Sequence, residues 1–298
     1  MIEKYRQRVI EHIWLFLVLL FICIAGIIGF MSKVKIITGD NLISTNIINA
    51  AGKFIISFFV LFIMAKWDFF CGFQVVSKKK LVCALVCGFP FIIDIVENIA
   101  LLKLVPASLI QADKMGIISV LLLGLGTACV EEFGVRGVLY SLFCLKWKNK
   151  KNSLLKAALF VSAVFGLLHF GKLLYSLLFL HIADFGEIIA SLYQVITSFC
   201  AGMLFTGMTV YSKSLIPAVV WHTVIDISAF LYQGIVSEIT YLMYMGNATW
   251  VDVLYQIGIP VKNGSLLFLG VSIITNLIYV MLGVILIEKE ERLFLPNE

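Results

Sequence analysis

An all-α, polytopic membrane fold of about eight transmembrane helices around an intramembrane cavity follows from three features of the chain. Apolar residues fill 61% of its 298 positions and mean hydropathy is +1.03, beyond the range of a soluble globular domain of this size. They are gathered into runs of roughly 20, the length at which a helix crosses the ~30 Å hydrocarbon core of a bilayer. The lysines and arginines behind the net charge of +5 stand between those runs. That is a topology signal rather than a nucleic-acid surface, and no basic patch interleaved with aromatics argues otherwise.

Taken in order, the candidate spans are Ile13–Met31, Ile43–Ala65, Leu81–Val105, Ile117–Leu145, Leu155–Phe170, Ile188–Tyr211, Leu215–Tyr232 and Leu266–Ile287, each an apolar run between polar breaks. The first follows Lys4, Arg6 and Arg8, exceeds a signal-peptide core and lacks a small-x-small cleavage site, so it reads as a retained anchor. An even count puts both termini on one side. Lys66 with Lys78, Lys79 and Lys80, the Lys146/Lys148/Lys150/Lys151 cluster, Lys213 and the Lys289/Arg292 tail all share that side. The positive-inside bias therefore predicts a multi-pass cell-membrane protein with both termini cytoplasmic. Short loops and abundant Ile, Phe and Lys lean toward a low-GC bacterium, hence a bacterial plasma membrane.

Cys23, Cys83, Cys87, Cys129, Cys144 and Cys200 lie in or at the ends of apolar runs, and Cys71 in a loop placed in the cytoplasm, so the cysteines read as packing residues. Gln233–Ser265 reads as an outward, solvated loop rather than a lid. Asp94 and Glu97 sit in the third span, with Glu97 and Lys103 drifting toward the outer interface. No internal repeat or domain boundary is visible, which leaves residues 1–298 as one transmembrane domain.

The fourth span carries the stretch Cys129-Val-Glu-Glu-Phe-Gly-Val-Arg-Gly-Val-Leu-Tyr140. Two acids and a guanidinium at membrane depth each cost roughly 2.5–3.5 kcal/mol at a helix centre, so a function has to justify them. Glu132 and Arg136 stand four apart and share a helix face, where they can pair. Glu131 points about a third of a turn away and remains free to face a cavity. The bland alternative is an ion cluster that stitches helices together.

Two of the four histidines, His169 and His222, fall inside predicted spans, and Asp226 follows His222 by one helical turn. At about 1.5 Å per residue, Glu131 and His169 each lie roughly 21 Å from the cytoplasmic ends of their spans, and His222 and Asp226 roughly 10 and 17 Å along theirs. One cavity can hold all four. A carboxylate with two imidazoles can activate water against a carbonyl and support the oxyanion. Alternatively His169, His222 and Asp226 can hold a divalent metal such as zinc while Glu131 acts as base. Cys129 is turned roughly 200° from Glu131 and makes a poor nucleophile candidate.

These pieces, in this order, resemble the CAAX protease and bacteriocin-processing family of intramembrane endopeptidases. The family pattern of Glu-Glu-x-x-x-Arg, Phe-x-x-x-His and His-x-x-x-Asn/Asp reads here as Glu131-Glu132…Arg136, Phe165…His169 and His222…Asp226. Gly202–Gly207 and Ser214–Ala218 are similar to its sixth span and following turn, so the resemblance covers about residues 117–230. It implies an eight-helix endopeptidase in which Glu131 and His169 activate water, His222 and Asp226 support the oxyanion, and Glu132 and Arg136 are structural support. Asp226 stands where many members have asparagine, and an ionised aspartate cannot donate to an oxyanion; it must be protonated, orient His222 or bind metal. The family is often labelled metalloprotease, but the metal-free route is the one expected here, with no cofactor. The expected partner is a membrane-associated peptide or protein, rather than a prenylated one. A non-catalytic bacteriocin-immunity or scaffold protein would show a lost motif residue, and none is lost. A transporter would show two similar halves, and none are visible.

Overall fold

The computed structural model describes residues 2–15, 42–66, 77–102, 114–171, 185–231 and 264–294. Most of the first expected span, most of Gln233–Ser265, Cys23 and Cys71 lie outside them, as does the side chain of Glu97. Every regular element described is helical: α1 (Ile2–Glu11), α2 (Leu42–Lys66), α3 (Lys78–Cys87), α4 (Ile92–Leu102), α5 (Lys114–Glu132), α6 (Tyr140–Trp147), α7 (Ser153–Leu168), α8 (Phe185–Ser212), α9 (Ile216–Phe230) and α10 (Gly264–Phe294). The chain is an all-α, polytopic membrane protein.

Five stretches are long and apolar enough to cross a bilayer: Ile43–Lys66, Lys78–Ala100, Lys114–Trp147, Ser191–Ser212 and Gly270–Glu291. The count of eight is not confirmed among the described residues. Helices α7 and α9 have 16 and 15 residues, about 24 and 22 Å at 1.5 Å per residue, short of a ~30 Å core.

The third span is broken rather than continuous. Helix α3 is capped by Ser77, whose Oγ accepts from the Lys80 amide, and ends at Gly88, followed by a 3-10 turn over Phe89–Phe91 that contains Pro90. Proline lacks the N–H that an unbroken helix would use. The break also seats Trp221 of α9: its indole N–H donates to the Leu85 carbonyl at 2.8 Å, and a Cβ at position 88 would fall 2.1 Å from that nitrogen.

The fourth span runs 34 residues from Lys114 to Trp147, but it is not α-helical throughout. Phe133–Leu139 forms a π-helical segment, and the Tyr140 amide reaches back to the Val135 carbonyl. Such wide turns occur mostly at functional sites. This one begins directly after Glu132 and contains Arg136.

Helix α8 packs against α10, α7, α3 and α9, while α5 lies against α2 and α9. Lipid offers helices no hydrophobic drive to associate, so small residues that let backbones approach do much of the work. Gly207 of α8 and Gly283 of α10 meet so closely that a Cβ on Gly207 would lie 2.7 Å from the Gly283 Cα. At the end of the same helix pair, Lys80 of α3 pairs with the buried Glu290 of α10, and Lys213, left-handed at φ 53°, stands 3.9 Å from that carboxylate. Large apolar side chains such as Phe58, Phe59 and Phe62 of α2 and Ile273, Ile274 and Leu277 of α10 point outward.

Candidate active site

The site is built outward from Arg136, which has no exposed surface. Its Nη1 donates to Glu132 Oε1 at 3.0 Å, a pair buried on both sides. The guanidinium also lies over the Phe165 ring at 4.2 Å and 5.4 Å from the Phe205 ring, contacts in which the ring faces attract the cation. Gly202 makes room: a Cβ there would sit 3.0 Å from Arg136 Nη2.

Each of those rings reaches a histidine on its other contacts. Phe205 stacks on His222 at 5.1 Å and 14°, and Phe165 meets His169 edge-on at 4.9 Å. His222 Nδ1 lies 2.7 Å from Glu132 Oε1. An ionised carboxylate only accepts, so Nδ1–H is the donor and Nε2 is turned to the cavity. There it lies 3.6 Å from Glu131 Oε2 and 3.7 Å from Asp226 Oδ2. Both distances exceed a hydrogen bond, and both oxygens are buried without a hydrogen-bonding partner among the described residues. His169 caps α7, and its Nδ1 lies 2.9 Å from the Phe165 carbonyl. A carbonyl can only accept, so Nδ1 carries the proton and Nε2 is left as the acceptor.

Glu131, His169, His222 and Asp226 line one cavity of about 560 Å³ between α2, α4, α5, α7, α8, α9 and α10. Glu131, His222 and Asp226 stand within ion-pair reach of one another through Nε2, whereas His169 makes no ion pair among the described residues. Cys129 packs at the edge of the apolar core and does not line the cavity. Glu132 and Arg136 form the wall behind, and Glu132 bridges Arg136 to His222, so it orients an imidazole as well as neutralising a cation.

Residues 113–228 match the family model of the Rce1-like type II CAAX prenyl endopeptidases. Over these residues the chain is similar to the CAAX protease family. The Rce1-like segment runs from the start of α5 to the end of the α9 motif and contains all six residues named from the motifs, a likeness that supports a membrane protease. Comparisons with curated proteins and with solved structures give no significant match. The donor set suggested for zinc, His169, His222 and Asp226, is not gathered: among the described residues no three His, Cys, Asp or Glu side chains are grouped to hold a metal ion.

Sequence reasoning overlooked Lys53. It lies on α2, outside the Rce1-like segment, lines the cavity, and donates from Nζ to Thr127 Oγ1 at 2.5 Å. Thr127 is one turn before Glu131, and Lys53 interacts electrostatically with Glu131 and Asp226. A lysine eleven positions inside an apolar run was the available signal. Phe205 was also missed, and only its stacking on His222 reveals it.

Proposed function

We propose that this chain is an intramembrane endopeptidase in which Glu131 is the general base and no metal is required. One observation carries the reading: two buried, unpartnered carboxylate oxygens flank His222 Nε2 at 3.6 and 3.7 Å, leaving room for a water-sized reactant among them. Glu131 takes a proton from that water as its oxygen adds to the scissile carbonyl, and the acceptor nitrogen of His169 shares the water. A doubly protonated His222 donates through Nε2 to the oxyanion, with Asp226 orienting it. When the C–N bond breaks, the proton held by Glu131 passes to the leaving amine. Glu132, by fixing Nδ1–H, sets which imidazole edge meets the reaction.

The substrate we infer is a membrane-associated peptide or protein with no requirement for a prenyl chain, although the related family is named for prenylated CAAX substrates. The cavity wall also carries hydroxyl and amide groups, among them Tyr193, Gln194, Thr197, Ser272 and Asn276, which suit a peptide better than an isoprenoid. A multi-pass cell-membrane location with cytoplasmic termini remains part of the proposal, supported by the lysine distribution. The test is to incubate purified protein with a membrane-peptide library and a farnesylated CAAX peptide, with and without a chelator, and map products by mass spectrometry. Cleavage of unprenylated peptides that survives chelation is expected. Absence of any cleaved peptide overturns the endopeptidase reading, and stoichiometric zinc whose removal abolishes activity and whose return restores it overturns the metal-free route.

A further inference from the structure

Helix α10 lies beyond the Rce1-like segment, and its outward face is apolar, with Ile273, Ile274 and Leu277 exposed. Its inward face is not: Ser272, Thr275, Asn276 and Tyr279 recur at i, i+3, i+4 and i+7, which places them on one side of a helix, and all four line the cavity that holds Glu131. Some of this polarity holds helices together. Tyr193 of α8 meets Ser272 Oγ at 2.5 Å, and Tyr279 donates to Asp94 of α4 at 2.6 Å.

Two atoms are left over. Thr275 is 3% exposed and its Oγ1 has no hydrogen-bond partner among the described residues. Asn276 Nδ2 donates to the Ser272 carbonyl at 3.0 Å, which fixes the amide orientation, and Oδ1 is then a buried acceptor with no donor among the described residues. Unsatisfied polar atoms at membrane depth are costly. A hydroxyl and a carbonyl oxygen side by side can offer one donor and one acceptor.

We propose that this face of α10 is a subsite for the backbone of an extended peptide segment beside the scissile bond, Asn276 Oδ1 accepting a substrate N–H and Thr275 Oγ1–H donating to a substrate carbonyl. The proposal rests on the endopeptidase reading above and deepens it. A helical substrate keeps its amides hydrogen-bonded internally, and a bond offered to Glu131 must first leave the helix. Non-helical backbone at this depth is tolerated only against protein or water that satisfies it. The wall meets that requirement for any sequence, because it addresses the backbone.

The experiment uses the full chain carrying Glu131→Gln in liposomes, with an apolar, unprenylated, fluorescent membrane peptide as probe. A series of that peptide replaces one amide at a time by an ester, which removes a single N–H. Binding is read by anisotropy within the mixing time. At one position the ester is expected to weaken binding by about tenfold, Asn276→Leu to weaken the parent peptide by a similar factor, and the two together to lose no more than either alone. Thr275→Val, tested separately, should raise the KM for cleavage of the peptide by the otherwise native chain while kcat and melting temperature hold. If the losses add at every position, or if both variants lower the melting temperature and leave binding and KM unchanged, the face is only helix-to-helix glue and the inference falls. Failure of every peptide to bind overturns it as well. Cleavage by Glu131→Gln at the native rate would instead remove the base assignment, while the binding cycle would still decide the subsite.

Discussion

The two ends of the cavity are polar in different ways. At one end α5, the π segment after it and α9 bring Glu131, Glu132, Arg136, His222 and Asp226 together with Lys53 of α2; at the other, α4, α8 and α10 present hydroxyls and amides with, among the described residues, a single lining acid, Asp94, already bonded to Tyr279. Charge is tolerated at the first end because each charged group there has an opposite neighbour. Asymmetry of this kind separates chemistry from recognition: charges able to move a proton stand apart from neutral groups able to hold an amide. The first end lies within the Rce1-like segment apart from Lys53, whereas much of the second is contributed by α10 outside it.

The strongest way to break the comparison is Glu131→Gln. Its side chain is 32% exposed to the cavity, so the change removes the base without breaking a buried pair. Cleavage should fall by roughly 10²–10⁴-fold, with melting temperature in detergent near native. A variant that is unstable, or that cleaves at the native rate, contradicts the assignment.

Its neighbour should behave in the opposite way. Glu132→Gln leaves Arg136 charged and fully buried and weakens the hold on His222 Nδ1, so a stability loss of about 3–5 kcal/mol is expected, as for a broken buried ion pair. Arg136→Gln should resemble it. Thermal melting of both beside Glu131→Gln measures how sharply two adjacent carboxylates differ.

The smallest effect is expected from Asp226→Asn. The amide keeps the size, still flanks His222 Nε2 and adds a donor near the oxyanion, so kcat/KM should change by only a few-fold. A loss above about a hundredfold, equivalent to about 2.7 kcal/mol, indicates that the carboxylate ligates a metal.

What could be read without coordinates follows from what membranes penalise. Glu131, Glu132, Arg136, His169, His222 and Asp226 stood out because ionisable groups in apolar runs are expensive, and helical phase alone separated Glu131 from Glu132. The Ser272, Thr275, Asn276, Tyr279 face did not stand out, since hydroxyls and an amide barely lower the mean hydropathy of an apolar run. Lys53 was passed over because one lysine in an otherwise apolar span looks like a side chain that snorkels. The bond between Glu132 and His222 joins residues 90 apart, and no local spacing encodes it. The break at Gly88–Pro90 had its signal in Gly-Phe-Pro, and the shortness of α7 and α9 had its signal in the short apolar runs Leu155–Phe170 and Leu215–Tyr232. The π segment was invisible for a further reason: backbone register depends on packing, here against α2 and α7.

The placement of partners around Arg136 has a consequence for how the chain enters the bilayer. Synthesis delivers the chain N-terminus first, and a lone charge released into lipid is penalised heavily. Arg136 has its counter-ion one turn earlier on the same helix, so this hairpin of opposite charges can leave the insertion machinery as a neutral dipole. Glu131 likewise meets a cation made before it, because Lys53 belongs to α2, which packs on α5. Only His222 and the rings of Phe165 and Phe205 arrive later, and none of them has to be charged when it does. The Glu132–Arg136 pair can therefore enter the bilayer without waiting for a later helix to neutralise it.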